Sequence, residues 1–272
     1  MVFYVVTGAS RGIGLEFVNQ LSSNPENQVF ALVRNKNTAT KLADINRPNV
    51  HVLQADITDS KALLDAAAEV ARVTGGKLDV LINNAALVPA GRAQGGIRGY
   101  PPEAQDELAR DLRESFEVNV VGVVLTTNAF LPLIQKGTAK KVITISSGLA
   151  DLDSTLEVEV TATAPYAITK AATNMTVAKY AVDYKKDGIA FLALTPGVVD
   201  TSSTAPPGAE QPSPEDMQQT MELAGRFQKK YPHWKGPMTP QESVRHMMEV
   251  IDNLTVEKSG QFISHLGSKQ WL

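Results

Sequence analysis

Residues 3–14 read Phe-Tyr-Val-Val-Thr-Gly-Ala-Ser-Arg-Gly-Ile-Gly. The apolar run Phe3 to Val6 predicts a buried strand, and Leu15, Phe17, Val18 and Leu21 give the following segment the apolar face of a helix. Between them, Gly8, Gly12 and Gly14 mark a sharp strand-to-helix turn. Missing side chains there let a pyrophosphate approach backbone amides at a helix N-terminus. Gly8, Ser10, Arg11, Gly12, Ile13 and Gly14 are therefore candidate dinucleotide contacts. The spacing is Gly-x-x-x-Gly-x-Gly, and glycines at such a turn can serve conformation alone. The strand before and the amphipathic helix after give the pattern its weight.

Working outward, short apolar runs recur at Gln28 to Val33, Val50 to Gln54, Val80 to Ile82, Lys141 to Ser146 and Ala190 to Leu194. Helical segments are expected between them at about 12–23, 37–45, 59–73, 103–136 and 164–186. Strands apolar on both faces and separated by helices predict an α/β chain with a Rossmann-type, doubly wound parallel sheet, helices on both faces and right-handed crossovers. Residues 1–272 are read as one domain, since no linker, repeat or second core is visible. Three stretches break the rhythm. Residues 86–102 carry Pro89, Gly91, Gly95, Gly96, Gly99, Pro101 and Pro102, which predicts a loop. Residues 148–163 interpose Asp151, Asp153, Glu157 and Glu159. Residues 198–240 are proline-rich around a helix from about Glu215 to Lys229, and Met217, Met221, Leu223, Phe227, Tyr231 and Trp234 could line a substrate lid or merely pack.

Composition narrows the chemistry. A formal charge of -3 and a pI near 5.9 give no basic surplus for a phosphate backbone, so nucleic acid is not an expected partner. The absence of cysteine excludes disulfides, thiol nucleophiles and thiolate metal sites. His51, His233, His246 and His265 are scattered, and no metal is expected. The chain enters a strand without a charged leader, and no apolar run is read as long enough to span a bilayer, so a cytoplasmic protein without a membrane partner is the expectation.

Strand ends in an open α/β sheet collect ligands. At the end of the second strand, where a carboxylate would suit a free ribose 2′-hydroxyl, the chain has Arg34, Asn35 and Lys36. Arg34, aided by Arg11, could pair with a 2′-phosphate, which favours NADP(H) as cofactor; the alternative is two solvated loop charges. Asp56 and Ile57 follow the third strand, where Asp56 could meet an adenine amino group, while a helix N-cap suits Asp59 better. Asn83 and Ala85 follow the fourth strand, where Asn83 and Asn84 could equally form a turn.

Tyr166 and Lys170 lie four residues apart, on one face if the segment is helical. An ammonium held there is expected to lower the phenol pKa toward working pH. The same spacing recurs at Tyr231 and Lys235, but Pro232, Gly236 and Pro237 place that copy in a loop.

Taken together, Thr7 to Gly14, Asp56-Ile57, Asn83-Asn84-Ala85, Asn119, Ser147, Tyr166 with Lys170, and Pro196-Gly197 followed by Thr201 resemble the classical short-chain dehydrogenase/reductase family over residues 2 to about 201. Arg34 and the closing Ser259 to Gly267 segment with Trp271 are similar to C-factor and sniffer-type carbonyl reductases. The resemblance implies an oxidoreductase that uses NADP(H) to reduce the ketone or aldehyde of a neutral, hydrophobic small molecule. Tyr166 would be the general acid or base, Ser147 the oxyanion donor with Ser146 as its competitor, and Lys170 the pKa-setting and ribose-binding group. Asn119 would hold a water leading to Lys170, and its alternative is a local helix distortion. Pro196, Gly197, Val199 and Thr201 would meet the nicotinamide end and a phosphate. Ala86 replaces a usual glycine, and the Ser147 to Tyr166 interval is long, implying an insertion beside the pocket. A regulatory NADPH-binding module and a non-redox cyclase are the rival readings, and a homodimer or homotetramer stays open.

Overall fold

The computed structural model of the chain describes residues 1–89, 96–205, 208 and 213–272. Its strands are β1 (Phe3–Thr7), β2 (Gln28–Val33), β3 (Val50–Gln54), β4 (Val80–Asn83), β5 (Lys141–Ile145), β6 (Ala190–Thr195) and β7 (Gln261–Ser264). They form one parallel sheet in the order β3-β2-β1-β4-β5-β6-β7. The order reverses at β1, so the turn after β1 opens between β2 and β4, the crevice where an α/β sheet holds its ligand. The Rossmann-type expectation holds.

Alternation along the strands separates two apolar layers. Tyr4 and Val6 of β1 face α1 (Gly12–Leu21) and α9 (Pro240–Asp252), where Phe17, Val18, Val244, Met247 and Ile251 are buried. Val5 points the other way, with Phe30, Leu81 and Phe191, toward Leu63 and Val70 of α3 (Ser60–Thr74), Phe130 and Ile134 of α5 (Gly122–Ile134), and Val177 of α7 (Ala164–Asp183). Asp59 caps α3 by accepting from the amides of Lys61 and Ala62.

Several helical expectations needed revision. The segment at 37–45 divides into a 3₁₀ turn, Lys36–Thr38, and the short α2 (Thr40–Ala43), because the Asn35 side chain accepts from the Asn37 amide and locks a tighter start. The long segment at 103–136 begins with a 3₁₀ turn at Pro102–Ala104 and continues through α4 (Gln105–Phe116), a π-helical turn at Glu117–Val121, and α5. That run reaches an 18-residue mean hydropathy of 1.5 and is long and apolar enough to cross a bilayer by length and composition. The sequence expectation of no such run is corrected here; half of that window is buried within the protein, with Phe130, Leu131, Leu133 and Ile134 in the layer under the sheet. In the 148–163 stretch, Asp151 accepts from the Ser154 amide and caps α6 (Leu152–Glu157). The helix predicted from Glu215 is α8 (Pro214–Lys230), and the second Tyr-Lys copy lies beyond its end. Gly91, Gly95, Pro206, Pro207 and Pro212 lie outside the described residues.

At the sheet edge opposite the ligand crevice, Asp79 accepts from the Phe3 amide at 2.9 Å and from the Thr138 and Ala139 amides at 2.8 and 3.2 Å. It ties β1 to the segment entering β5. Asp79→Ala leaves these donors without their acceptor and is expected to cost about 3 kcal/mol. Urea unfolding should show a lower midpoint with an unchanged slope, and a loss below about 1 kcal/mol would contradict the assignment.

Candidate active site

The turn after β1 is held by Thr7 and Asn84. Thr7 Oγ1 accepts from the amides of Asn84 and Ala85, both at 3.0 Å, and Asn84 Nδ2 donates to the carbonyls of Thr7 and Gly8. Gly8 has φ +65°, and a Cβ there would stand 2.8 Å from Ala85 Cα. A Cβ on Gly14 would stand 2.3 Å from the Gly8 carbonyl oxygen. Neither position admits a side chain, so the β1 and β4 ends close upon each other. The Gly12 amide donates to Thr204 Oγ1 at 2.8 Å, and Thr201 Cγ2 lies 3.4 Å from the position of a Gly12 Cβ. The structure thus brings Thr201 onto the glycine turn. Ser10 and Ile13 lie in the same turn, half-buried.

Arg34 directly follows β2 in an exposed position, and Arg11 is exposed beside Gly12. Neither side chain makes a hydrogen bond or ion pair within the described residues. Asn35 spends its carbonyl oxygen on the Asn37 amide. Asp56 accepts through Oδ1 from the Thr58 amide and hydroxyl at 3.0 and 2.8 Å, so it too has a turn-forming role, the role expected to suit Asp59 better. Ile57 is buried and occupies the space beside Gly122 at the start of α5. Asn83 donates through Nδ2 to Thr127 Oγ1 at 3.0 Å, and its buried Oδ1 has no partner among the described residues.

Beyond β6, Gly197 adopts φ +77°. A Cβ there would stand 2.6 Å from Met238 Cε and 2.8 Å from His265 Cε1. Pro196 is fixed through its carbonyl, which accepts from Ser243 Oγ at 2.7 Å, and Val199 pairs in register with Met238. Hydrogen bonds from the Met238 amide to the Val198 carbonyl and from the Asp200 amide to the Met238 carbonyl flank that pair.

The reactive groups meet where β5 ends and α7 begins. Pro165 stands in the first turn of α7, where a missing amide is harmless, and Tyr166 and Lys170 follow on one face. Ser147 accepts from the Leu149 amide at 3.2 Å, and it is the side chain that pulls the Tyr166 phenol toward ionisation. Ser146, the competitor, is buried and donates to Asn174 Oδ1 at 2.6 Å. The second serine is the one at the phenol.

Lys170 is 2% exposed; its Nζ donates to the Ile145 carbonyl at 2.6 Å and stands 5.5 Å from the Tyr166 ring centroid. Burial pushes the Lys170 ammonium down to about 8. Burial pushes the Tyr166 phenol up to about 12, against the opposing pull of the Ser147 hydrogen bond. This reverses the expected lowering of the tyrosine by Lys170. Desolvation disfavours phenolate and ammonium alike, and the lysine directs its hydrogen bond to a strand carbonyl.

Asn119 lies in the π turn, fully buried. Its Oδ1 accepts from the Leu87 amide at 2.7 Å, while Nδ2 donates to the Leu87 carbonyl at 2.9 Å and to Thr169 Oγ1 at 3.0 Å. Its own carbonyl accepts from Thr173 Oγ1 at 2.9 Å. The water-holding role expected of this residue is therefore not available to its side-chain donors, both of which are used on protein. The amide clamps the segment after β4 to α7, and the distorted helix turn supplies the geometry.

A sequence model described as short chain dehydrogenase matches residues 3–212. The chain belongs to the short-chain dehydrogenase family. A short-chain dehydrogenase/reductase of Aspergillus aculeatus is 48% identical over the full length of both chains. Among solved structures, an NADPH-bound carbonyl reductase from chicken fatty liver is 28% identical, with TM-score 0.74 over 97% of this chain and 96% of the other. The Sniffer carbonyl reductase of Drosophila melanogaster shares the fold, with TM-score 0.75 at 23% identity over 98% and 97% of the two chains.

In this short-chain dehydrogenase, part of the site's framing comes from residues beyond the matched segment. Met238, Ser243, His265 and Trp271 abut Gly197, Pro196 or Gly148, and the sequence reading assigned none of them a place in the site. Thr239 and Glu242 form a capping box with Pro240 in the first turn, a sequence signal for α9 and hence for Ser243. The flexible-lid reading of 198–240 meets α8 with exposed Met217 and Met221, linked to the α6 region by the Lys230 to Glu157 ion pair and by Arg226 donating to the Glu159 carbonyl.

Lys170 carries a stability consequence. Its folded pKa of about 8 lies below the ordinary 10.5, so the unfolded chain holds more protons between those values and stability rises with pH across that window. Below about pH 8 the burial cost is at its full value. Lys170→Met is expected to stabilise the protein at pH 7 by roughly 3 kcal/mol, with the advantage shrinking toward pH 10. Melting curves at both pH values check this, and an advantage independent of pH would contradict it.

Proposed function

We propose that this short-chain dehydrogenase uses NADPH to reduce the ketone or aldehyde of a neutral, hydrophobic small molecule to an alcohol. The observation that carries the reading is the half-buried Tyr166 phenol, set next to Ser147 and beside the buried Lys170 of the same helix face. Support for the cofactor comes from the free, exposed Arg11 and Arg34 and from the absence of a carboxylate at the end of β2. The NADPH-bound carbonyl reductase relative at 28% identity adds to it.

The residues present fit the dinucleotide. Gly8 and Gly14 admit no Cβ, which keeps the turn close to β4, and Asn83 keeps a buried side-chain carbonyl oxygen without a partner among the described residues. Arg11 and Arg34 would hold the 2′-phosphate, with Asn35 beside them. Asp56, Ile57, Asn83 and Ala85 would border the adenosine, and Lys170 with Tyr166 would hold the nicotinamide ribose. Pro196, Gly197, Val199 and Thr201 would border the nicotinamide and a phosphate. NADPH, when bound, supplies the hydride.

The chain's own residues manage the proton. A phenol near 12 stays protonated at neutral pH, which is the form a general acid needs. Tyr166 donates that proton to the carbonyl oxygen as it gains charge, and the alkoxide, far more basic than a phenolate, draws it across. Ser147 releases its phenol contact to donate to the same oxygen, a placed bond worth about 3 kcal/mol. Lys170 sets a cationic charge near the phenolate left behind, and Asn119 fixes the Leu87 segment and Thr169 around the pair. The exposed apolar side chains Leu152 and Leu156 of α6 and Met217 and Met221 of α8 support an apolar substrate.

Two variants test the reading by loss of NADPH absorbance with a panel of ketones, diketones and aldehydes. Tyr166→Phe is expected to lower kcat on the order of 10²- to 10⁴-fold while NADPH still binds. Arg34→Ala is expected to weaken NADPH by roughly tenfold or more and leave NADH nearly unchanged. Turnover surviving in Tyr166→Phe defeats the catalytic assignment, and equal losses of the two cofactors defeat the 2′-phosphate assignment.

A further inference from the structure

Trp271 is the penultimate residue and follows Ser268, Lys269 and Gln270, all exposed, yet it is only 5% exposed itself. Its ring stacks on Phe262 of β7, with centroids 4.6 Å apart and planes 25° from parallel. The other contact is less ordinary: Cβ, Cγ and Cδ2 of Trp271 lie 3.3, 3.5 and 3.9 Å from where a Cβ on Gly148 would stand. Gly148 directly follows Ser147 and opens the 3₁₀ turn Gly148–Ala150, whose Leu149 amide donates to Ser147 Oγ. Trp271 thus stands against the back of the turn that holds Ser147.

We propose that Trp271 is a positioning residue for carbonyl reduction, backing the Gly148 turn so that the Ser147 hydroxyl stays aimed at the Tyr166 phenol. This rests on the proposed function above. The turn is short and built on a glycine, so its own backbone supplies little resistance to displacement. Phe262, anchored in the sheet by the Leu192, Ala193 and Leu194 register of β6, gives the indole a rigid backing. The indole reaches neither Tyr166 nor Lys170 in any ring or hydrogen-bond contact among the described residues, so its effect passes through the Ser147 turn. Small displacements of an oxyanion donor are costly, because its value depends on distance and direction.

The test is a double-mutant cycle on the full chain with NADPH and a ketone that the wild type turns over. Trp271→Ala is expected to lower kcat roughly tenfold, with NADPH affinity unchanged, and Trp271→Phe to restore most of it. In a Ser147→Ala background the same Trp271→Ala change should leave kcat within about twofold, since the group it positions is already gone. In the alcohol-oxidation direction, Trp271→Ala should move the ascending limb of the kcat profile to higher pH, because the Ser147 interaction that favours the phenolate has loosened. Should Trp271→Ala fail to fold, Trp271→Leu takes its place in the same cycle. An equal loss in both backgrounds, or no loss in either, overturns the positioning role while wild-type turnover leaves the reductase reading standing. Absence of wild-type turnover with every carbonyl defeats the reductase reading itself, and the positioning role with it.

Discussion

Two ionisable side chains, one buried and one half-buried, set the terms for the rest of the molecule. Lys170 is buried with its nitrogen on the Ile145 carbonyl, and Tyr166 lies beside it, next to Ser147. Burying a lysine is costly unless its protons find acceptors, and the end of a central parallel strand offers one at 2.6 Å. β5 must therefore stop at Ile145, α7 must begin at Ala164, and the intervening chain must return to place Ser147 between them. The doubly wound sheet does this because every strand delivers its carboxyl end to the same side.

The two groups shift in opposite directions for one reason. Low dielectric disfavours the phenolate and the ammonium alike, so the pair rests closer to neutrality than the same groups in water. Such a site is poised for developing charge, since an anion forming nearby meets a cation and donors already arranged and poorly solvated by water. The stability cost falls mainly on Lys170, and the two apolar layers under and over the sheet offset it. The C-terminal region adds a second support, through Ser243 on Pro196, Met238 and His265 against Gly197, and Trp271 against Gly148.

Much of this was legible in the residues. Six strands showed as apolar runs because parallel strands covered on both faces have no polar side to interrupt them. The glycine turn was legible because only glycine tolerates the approach of Gly8 to Ala85. Prolines and glycine around Tyr231 and Lys235 separated that copy from Tyr166 and Lys170, whose helix the structure shows. β7 escaped because four residues, with Gln261 exposed, give too short a pattern. The direction of the tyrosine shift escaped because it depends on how deeply each group is buried and where the lysine sends its protons, and spacing reports neither. Asn119 showed as an unusual helix residue, but its clamp on Leu87 crosses the fold and has no local sequence signature.

The central claim is that the site moves a hydride and a proton onto one carbonyl. Deuterium at the transferable position of the NADPH nicotinamide, followed by mass spectrometry of the product alcohol, tests it most directly. The account predicts one deuterium on the carbinol carbon with the wild-type chain and almost none with Tyr166→Phe under the same conditions. Product without deuterium, or labelled alcohol formed as fast by Tyr166→Phe as by the wild type, would contradict it.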